Sequence, residues 1–168
     1  MMRAFLTATV AFCIGALAPA TAQMLDFSGV WLYEPSKSET TYSKPVGRVL
    51  TVVDERTRVT VSRSRTGSPL IEEKYSCTTD GAATRAARGP DSVTWTLRRE
   101  GQTLVWHGQL VRTADNASVG FTERWSLSAD GNTLTVDRVY ALSPEAAAIH
   151  PERSQMKEVF TKQPSRKR

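Results

Sequence analysis

Apolar and polar residues alternate along most of the chain with a period of two, and turn residues interrupt the alternation at short intervals. Because successive side chains of a strand point to opposite faces, this alternation is typical of strands with one buried and one solvated face. Many short strands in series predict an all-β, antiparallel, up-and-down meander. The predicted strands are residues 29–34, 47–54, 57–65, 69–78, 92–99, 102–113, 118–129, 132–142 and 154–161.

A sheet of about eight to ten strands can close into a barrel, which leaves no exposed edge. We therefore expect a barrel, with an open, strongly curved sheet or a sandwich as the alternative. Closure depends on whether the first and last strands pair, which the pattern of residues does not determine.

The hairpin around Asp130-Gly131 has a predictable register. This dipeptide favours a two-residue type I′ turn, in which both positions have positive φ. One face of the hairpin would then carry four opposed pairs, and the interior would contain one ion pair among apolar residues. The pairs are Leu127 with Leu134, Trp125 with Val136, Glu123 with Arg138, and Phe121 with Tyr140.

Two other hairpins follow from the same reasoning. A turn at Glu100-Gly101 would place Trp95 opposite Trp106. A turn at Glu55-Arg56 would place Val52 opposite Val59 and Leu50 opposite Val61. An error of one residue in either register would turn the apolar side chains outward, so the pattern constrains the pairing.

Two segments lack the alternation. Residues 79–91 combine glycine, proline and arginine, and we expect a loop there. Ser143-Pro144-Glu145 resembles the start of a helix, with a capping serine, a proline at the first helical position and an acid in the first turn. The sequence predicts one short helix within 143–153, before the last strand.

The first 22 residues have the features of a signal peptide. Arg3 supplies a basic start, residues 4–17 are mostly apolar, and Ala20-Thr21-Ala22 is the small-x-small pattern of a cleavage site. The apolar run is shorter than the ~20 residues that span a bilayer, so we expect cleavage near Ala22 rather than anchoring. The predicted organisation is a signal peptide at 1–22, a barrel domain at 23–162 and a basic tail at 163–168. The protein would be exported, to the periplasm or beyond it.

The net charge of +5 is scattered along the chain rather than clustered. Nucleic-acid surfaces usually concentrate Lys and Arg on one element, so no nucleic-acid partner is expected. The one dense basic cluster is Arg166-Lys167-Arg168, which we interpret as a solvated tail with weak attraction to anionic surfaces as the alternative. No membrane span is expected after the signal peptide.

Few residues offer catalytic or metal chemistry. His107, His150 and Cys77 fall on separate predicted elements, so no metal site is expected. Cys77 has no partner for an internal disulfide, and we expect a small buried side chain, with an intermolecular disulfide as the alternative. Neither a nucleophile elbow nor a phosphate loop occurs, so no cofactor is expected and an enzyme is disfavoured.

Near the start of the expected mature chain stands Asp26-Phe27-Ser28-Gly29-Val30-Trp31, and this Gly-x-Trp resembles the signature of the lipocalin-like, calycin-type β-barrels. In that family the tryptophan plugs the closed end of the barrel, often against a basic side chain from a late strand. The chain also resembles exported bacterial proteins of uncharacterised role that share the Ser-Gly-x-Trp start and a hairpin like residues 123–131. The resemblance implies a meander barrel with a ligand cavity, and it implies Trp31 as a structural plug.

The interior candidates for ligand binding are Trp95, Trp106, Phe121, Glu123, Trp125, Arg138 and Tyr140. Their rings either pack into a solid core or line an apolar cavity. Glu123 and Arg138 either bond each other and specify register, or hold the polar end of a ligand.

These alternatives lead to three hypotheses of function. The first is an exported protein that binds a small, apolar or lipid-like molecule. The second is a structural or interaction protein with a solid core. The third is an enzyme that uses the barrel interior, with Glu123 as its proton-transfer group. The ligand's identity and the oligomeric state stay open.

Overall fold

The computed structural model describes residues 24–40, 47–68, 70–88, 90–114, 118–142 and 155–164. Within these ranges the chain forms ten strands and one short 3-10 helix at Pro35–Lys37, so the all-β prediction is confirmed. The strands are β1 (Gly29–Tyr33), β2 (Arg48–Asp54), β3 (Arg58–Arg65), β4 (Ile71–Thr78), β5 (Thr84–Arg88), β6 (Asp91–Glu100), β7 (Thr103–Val111), β8 (Ser118–Leu127), β9 (Thr133–Ala141) and β10 (Gln155–Lys162).

All ten strands belong to one antiparallel sheet, in the order β4-β3-β2-β1-β10-β9-β8-β7-β6-β5. The first and last strands pair, so the sheet curls into a nearly closed barrel. A seam between β4 and β5 lacks a ladder of paired residues in the described ranges and carries only an isolated bridge between Asp80 and Arg98. Aromatic stacking closes this seam from inside, since the rings of Tyr75 on β4 and Trp95 on β6 lie 4.8 Å apart.

The predicted pairing of β8 with β9 is confirmed at every position, from Phe121 opposite Tyr140 to Leu127 opposite Leu134. The turn itself differs from the type I′ prediction, because only Gly131 has positive φ. Asp130 instead accepts hydrogen bonds from the Ser128 hydroxyl and from the backbone N–H and side-chain amide of Asn132, which stabilises a wider loop. The hairpin therefore keeps the expected register with a different connection.

The other two hairpin registers were predicted wrongly by two residues. Trp95 lies opposite Gly108, not Trp106, because the turn centres on Gly101-Gln102. Val52 lies opposite Val61, not Val59, because the turn centres on Arg56-Thr57, with Arg56 at φ 68°. A shift of two residues keeps every side chain on its face, so the binary pattern could not detect it.

Strand β5 occupies residues for which the sequence predicted a loop. It pairs with β6 at the edge of the sheet, with Thr84 opposite Trp95. Its alanines and arginines have weak intrinsic preference for strands, and tertiary pairing overrides that preference. The helix predicted within 143–153 and the signal peptide at 1–22 lie outside the described residues, as do the last four residues of the tail.

One end of the barrel is filled by Phe27 and Trp31, neither of which is exposed. The indole N–H of Trp31 donates to the carbonyl oxygen of Phe27 at 3.1 Å. Arg99 bonds both carboxylate oxygens of Asp54, at 2.7 and 2.8 Å, and lies over the ring of Phe27. We call this the closed end.

Lys162 on β10 lies over the ring of Trp31, with Nζ 5.1 Å from the ring centroid. Gly29 makes that approach feasible, because a Cβ there would lie 2.8 Å from the Lys162 Cε. Its φ of 154° also disfavours a side chain. The glycine and tryptophan of the Gly-x-Trp motif thus contact the same lysine.

Candidate functional site

The barrel interior contains a cluster of aromatic rings, all of them predicted to point inward apart from Tyr75. Trp95, Trp106 and Trp125 are at most 1% exposed. The Trp106 ring lies 5.5 Å from the Trp125 ring and 6.0 Å from the Trp95 ring. Tyr75 contacts both Trp95 and Trp106, so it joins the two sides of the seam. These distances are those of directly packed rings.

Phe121 and Tyr140 extend the cluster along β8 and β9, with ring centroids 5.7 Å apart. The ring of Phe121 lies directly over Gly108 of β7, against the Trp95 ring at 4.9 Å. A Cβ at Gly108 would lie 2.2 Å from the Phe121 Cζ. The glycine therefore provides the space that this ring occupies.

Replacing Gly108 with alanine is expected to lower the free energy of unfolding by about 1–3 kcal/mol, because the Phe121 ring must leave a packed position. Urea denaturation of Gly108→Ala would measure the loss. Gly120→Ala is the matched control, since its Cβ would meet only the Ala141 Cβ, at 3.7 Å. Equal losses of stability in Gly108→Ala and Gly120→Ala would contradict the proposed overlap between the new Cβ and the Phe121 ring. Adding Phe121→Leu to Gly108→Ala should recover stability.

Glu123 and Arg138 form the ion pair that the register predicts. The Arg138 Nε donates to the Glu123 Oε1 at 2.7 Å, and the Arg138 Nη2 contacts the same oxygen. The second carboxylate oxygen accepts a hydrogen bond from the indole N–H of Trp125 at 2.9 Å. Glu123 has no exposed surface, and Tyr140 Oη lies 3.3 Å from the Arg138 Nη1.

The ion pair belongs to a larger network that the sequence did not predict. Arg63 on β3 bonds Glu73 on β4 at 2.6 Å and lies 3.8 Å from Glu123. On the other side, Arg138 lies 3.9 Å from Glu158 on β10, and Glu158 also contacts Arg48 on β2. The order Arg48–Glu158–Arg138–Glu123–Arg63–Glu73 alternates in sign across six strands. We call these six side chains the charged layer.

The side chains of the charged layer differ in burial. The Arg48 side chain is 30% exposed, that of Arg63 is 12% exposed, and Glu123 is fully buried. The layer lies toward the end of the barrel opposite Trp31, where β7 leads to β8 and β9 leads to β10. We call this the far end.

Glu123 is held ionised. Burial alone would raise the pKa of this carboxyl, but Arg138, Arg63 and the Trp125 hydrogen bond together hold the pKa below its ordinary value. Burial alone would lower the pKa values of Arg63 and Arg138, but both are raised, by Tyr75 and Glu73 beside Arg63 and by Glu123 beside Arg138. A carboxylate in this state is a poor proton donor, so the arrangement does not favour Glu123 as an acid catalyst.

The lowered pKa of Glu123 makes stability depend on pH. A carboxyl with a depressed pKa stabilises the fold above its unfolded-state value, ~4.3, and this contribution is lost as the pH falls through the folded-state pKa. Below pH ~4.3, we expect the free energy of unfolding of the wild type to fall more steeply with decreasing pH than that of Glu123→Gln. Urea denaturation at a series of pH values would measure both slopes, and equal slopes would contradict the expectation.

Within the part of the chain that the structure describes, four buried polar atoms of the interior have no hydrogen-bond partner: Tyr33 Oη, Glu73 Oε1, Trp95 Nε1 and Trp106 Nε1. A fifth such atom, Arg99 Nε, lies at the closed end. Burying an unpaired polar group costs about 1–3 kcal/mol, so such groups usually face water or a ligand. The interior therefore offers unused hydrogen-bonding capacity beside the charged layer.

Arg63, Glu73 and Tyr75 were missed because they were not placed in register with another strand. Their signal was present: Val59, Val61 and Arg63 alternate inward on β3. Glu73, Tyr75 and Cys77 do the same on β4. Glu158 alternates inward with Met156 and Phe160. Arg48 is in phase with Leu50 and Val52. Only the pairing of β1 with β10 brings these two strands close together, and the sequence did not predict it.

The remaining chemistry-bearing residues lie apart from this site. Cys77 is 1% exposed, and burial raises the pKa of its thiol, which fits the expected small buried side chain. His107 faces outward and bonds the Thr122 hydroxyl at 3.1 Å. Within the described ranges, no cluster of His, Cys, Asp and Glu could hold a metal ion, and no helix is long and apolar enough to span a bilayer.

No family model and no curated protein matches the chain. Solved structures do match its fold. Fatty-acid-binding protein 1 of Echinococcus granulosus is 13% identical, with a TM-score of 0.54 over 82% of this chain and 98% of the other. Secretory abundant heat soluble protein 4 of Ramazzottius varieornatus is 10% identical, with a TM-score of 0.57 over 83% of this chain and 96% of the other.

The architecture defines a class of fold, a nearly closed antiparallel up-and-down β-barrel similar to those of lipocalins and fatty-acid-binding proteins. At such low identity the likeness establishes the fold alone. The candidate site of this chain is the charged layer together with the cluster of aromatic rings beside it.

Proposed function

We propose that this protein binds one small, mostly apolar molecule inside its barrel, with the polar end of the molecule toward the far end. The observation that carries the proposal is the set of unpaired polar atoms beside the charged layer, because a bound molecule would supply their missing partners. The aromatic rings would contact the apolar part of the ligand. One structural neighbour is by its name a fatty-acid-binding protein, which supports a lipid-like ligand.

Two groups of residues would contact the ligand, one its apolar part and the other its polar end. Trp95, Trp106 and Phe121 would supply apolar contact area, and rings of this size are effective at it. The polar end of the ligand would lie at the charged layer, next to the unpaired Glu73 Oε1 and the indole N–H groups of Trp95 and Trp106. Arg138 of the same layer and Tyr140 would lie nearby, bonded to each other. Trp31 would play no part in binding, because it is buried at the opposite end with its indole N–H already bonded.

Native mass spectrometry would test the proposal. The barrel domain is incubated with a bacterial lipid extract, repurified and sprayed under native conditions, and we expect discrete adducts of one or a few masses. Trp106→Phe removes an indole N–H and should reduce adduct occupancy. Ile71→Ser is the control for adsorption, because Ile71 is exposed on edge strand β4 and its loss should leave occupancy unchanged. Absence of adducts from the wild type would overturn the proposal.

A solid-core structural protein is the second candidate, favoured by the direct contacts among Tyr75, Trp95, Trp106 and Trp125. It predicts that no extract yields an adduct and that no added ligand changes the midpoint of thermal unfolding. A binding protein must instead be stabilised by its ligand in proportion to the logarithm of ligand concentration.

We also propose that the protein is exported and that residues 1–22 are removed. Intact-mass measurement of the protein from a bacterial periplasmic fraction would test this. A mature chain that begins at Gln23 is the expected result, and retention of the full chain in the cytoplasm would contradict it.

A further inference from the structure

We infer that the ligand of this barrel is uncharged at its polar end, with a hydroxyl group rather than a carboxylate or an amine. The inference rests on the proposed binding function and adds the chemical class of the ligand. It depends on the balance of charge in the charged layer and on the kinds of atom left without a partner.

The charged layer is neutral as a whole. Its three arginines are Arg48, Arg63 and Arg138, and its three carboxylates are Glu73, Glu123 and Glu158. Each arginine contacts at least one of these carboxylates, so none is left for an anion. A ligand carboxylate placed here would be an additional negative charge without a partner cation, and an ammonium would be an additional positive one. Burying an unpaired charge costs several kcal/mol.

The unpaired atoms point to a group that both donates and accepts. The indole N–H groups of Trp95 and Trp106 can only donate, so they require an acceptor. The free Glu73 Oε1 can only accept, so it requires a donor. A hydroxyl can satisfy one atom of each kind, whereas a carboxylate offers no hydrogen to Glu73 and would be repelled by it.

Arg63 connects these groups. It bonds the other oxygen of Glu73 at 2.6 Å and the Tyr75 hydroxyl at 3.3 Å. The Tyr75 ring in turn contacts the rings of Trp95 and Trp106. The donors and the acceptor therefore belong to one continuous cluster around the seam between β4 and β5.

Two series of ligands with matched carbon skeletons would test the inference by isothermal calorimetry or by quenching of tryptophan fluorescence. The linear series is dodecanol, dodecanoate and dodecylammonium. The aromatic series is naphthylmethanol, naphthoate and naphthylmethylammonium. We expect the alcohol of at least one series to bind about tenfold or more tightly than its charged analogues, since tenfold corresponds to only 1.4 kcal/mol.

Changing one carboxylate should change the preference. Glu73→Gln leaves the charged layer with one uncompensated arginine, so the affinity for the carboxylate of the same series should rise about tenfold. Glu72→Gln is the matched control. Glu72 is the adjacent residue and also pairs with an arginine, Arg65, but its side chain is half exposed on the outer face. Its substitution should leave all affinities unchanged.

The outcomes separate the two proposals. Tighter binding of a carboxylate or an ammonium by the wild type would overturn this inference and leave the binding function standing. An affinity for the carboxylate that does not rise in Glu73→Gln, or rises equally in Glu72→Gln, would also overturn it. Failure of all six compounds to bind the wild type would overturn the proposed function together with the inference.

Discussion

Arg138→Met is expected to lower the free energy of unfolding by about 3–5 kcal/mol, because it leaves Glu123 buried without its closest cation. Glu123 keeps the Trp125 hydrogen bond to its other oxygen. Arg63 faces the oxygen that Arg138 bonds, but at 3.8 Å it is too far away for a hydrogen bond. Methionine preserves much of the aliphatic length of the arginine, so the loss should reflect charge rather than volume. Urea denaturation near neutral pH would measure it.

A double-mutant cycle isolates the interaction. Glu123→Gln removes the buried charge, so Arg138→Met combined with Glu123→Gln should be more stable than Arg138→Met alone. Arg124→Met is the surface control, since Arg124 pairs with Glu100 at 3.2 Å and both side chains are more than half exposed. Its cost should stay within ~1 kcal/mol. Additive effects of Glu123→Gln and Arg138→Met would show that the two residues are not energetically coupled.

Trp31→Ala is expected to cost about 3–5 kcal/mol, because it opens a large cavity at the closed end. The loss has three parts: the buried ring, the hydrogen bond to Phe27 and the cation–π contact with Lys162. All three are structural. The same measurement on Lys162→Met would give the contribution of the cation separately, about 0.5–2 kcal/mol.

Val30→Ala provides the control for Trp31→Ala. Val30 is the preceding residue of β1 and is 42% exposed, so its truncation should cost within ~1 kcal/mol. A loss below 1 kcal/mol for Trp31→Ala would refute the role of Trp31 as a structural plug. Unchanged stability with reduced ligand affinity would instead identify a ligand contact.

Two kinds of prediction from the sequence differ in accuracy. The buried face of each strand was predicted well, whereas the residues that lie opposite each other on paired strands were predicted less well. The β8–β9 register was right because Asp130-Gly131 marks the middle of the hairpin, even though the loop there is wider than expected. At Glu55-Arg56 and Glu100-Gly101 the turns are displaced, and the apolar pattern tolerates the resulting shift of two residues. Trp95 was therefore placed on the right face and given the wrong neighbour.

The charged layer shows a different limit of prediction from sequence. Glu123 and Arg138 could be paired from one hairpin, since only local register was needed. Arg63 meets Glu123 across the barrel, and the two positions are far apart in sequence with strands that do not pair. Such contacts depend on closure of the sheet, which no local pattern encodes. Strand β5 was missed for a related reason, because its residues are strand-forming only when β6 is present.

The pairing of β1 with β10 brings both ends of the domain together, with the Gln163 N–H donating to the Val30 carbonyl at 2.8 Å. Among the ten described strands, the one break in the ladder lies elsewhere, between β4 and β5. A circular permutant that joins the end of β10 to the start of β1 and begins at residue 82 would therefore read its strands in spatial order. Such a chain would keep every ladder of the native sheet, and its new termini would lie at a site where no strand pairing is interrupted.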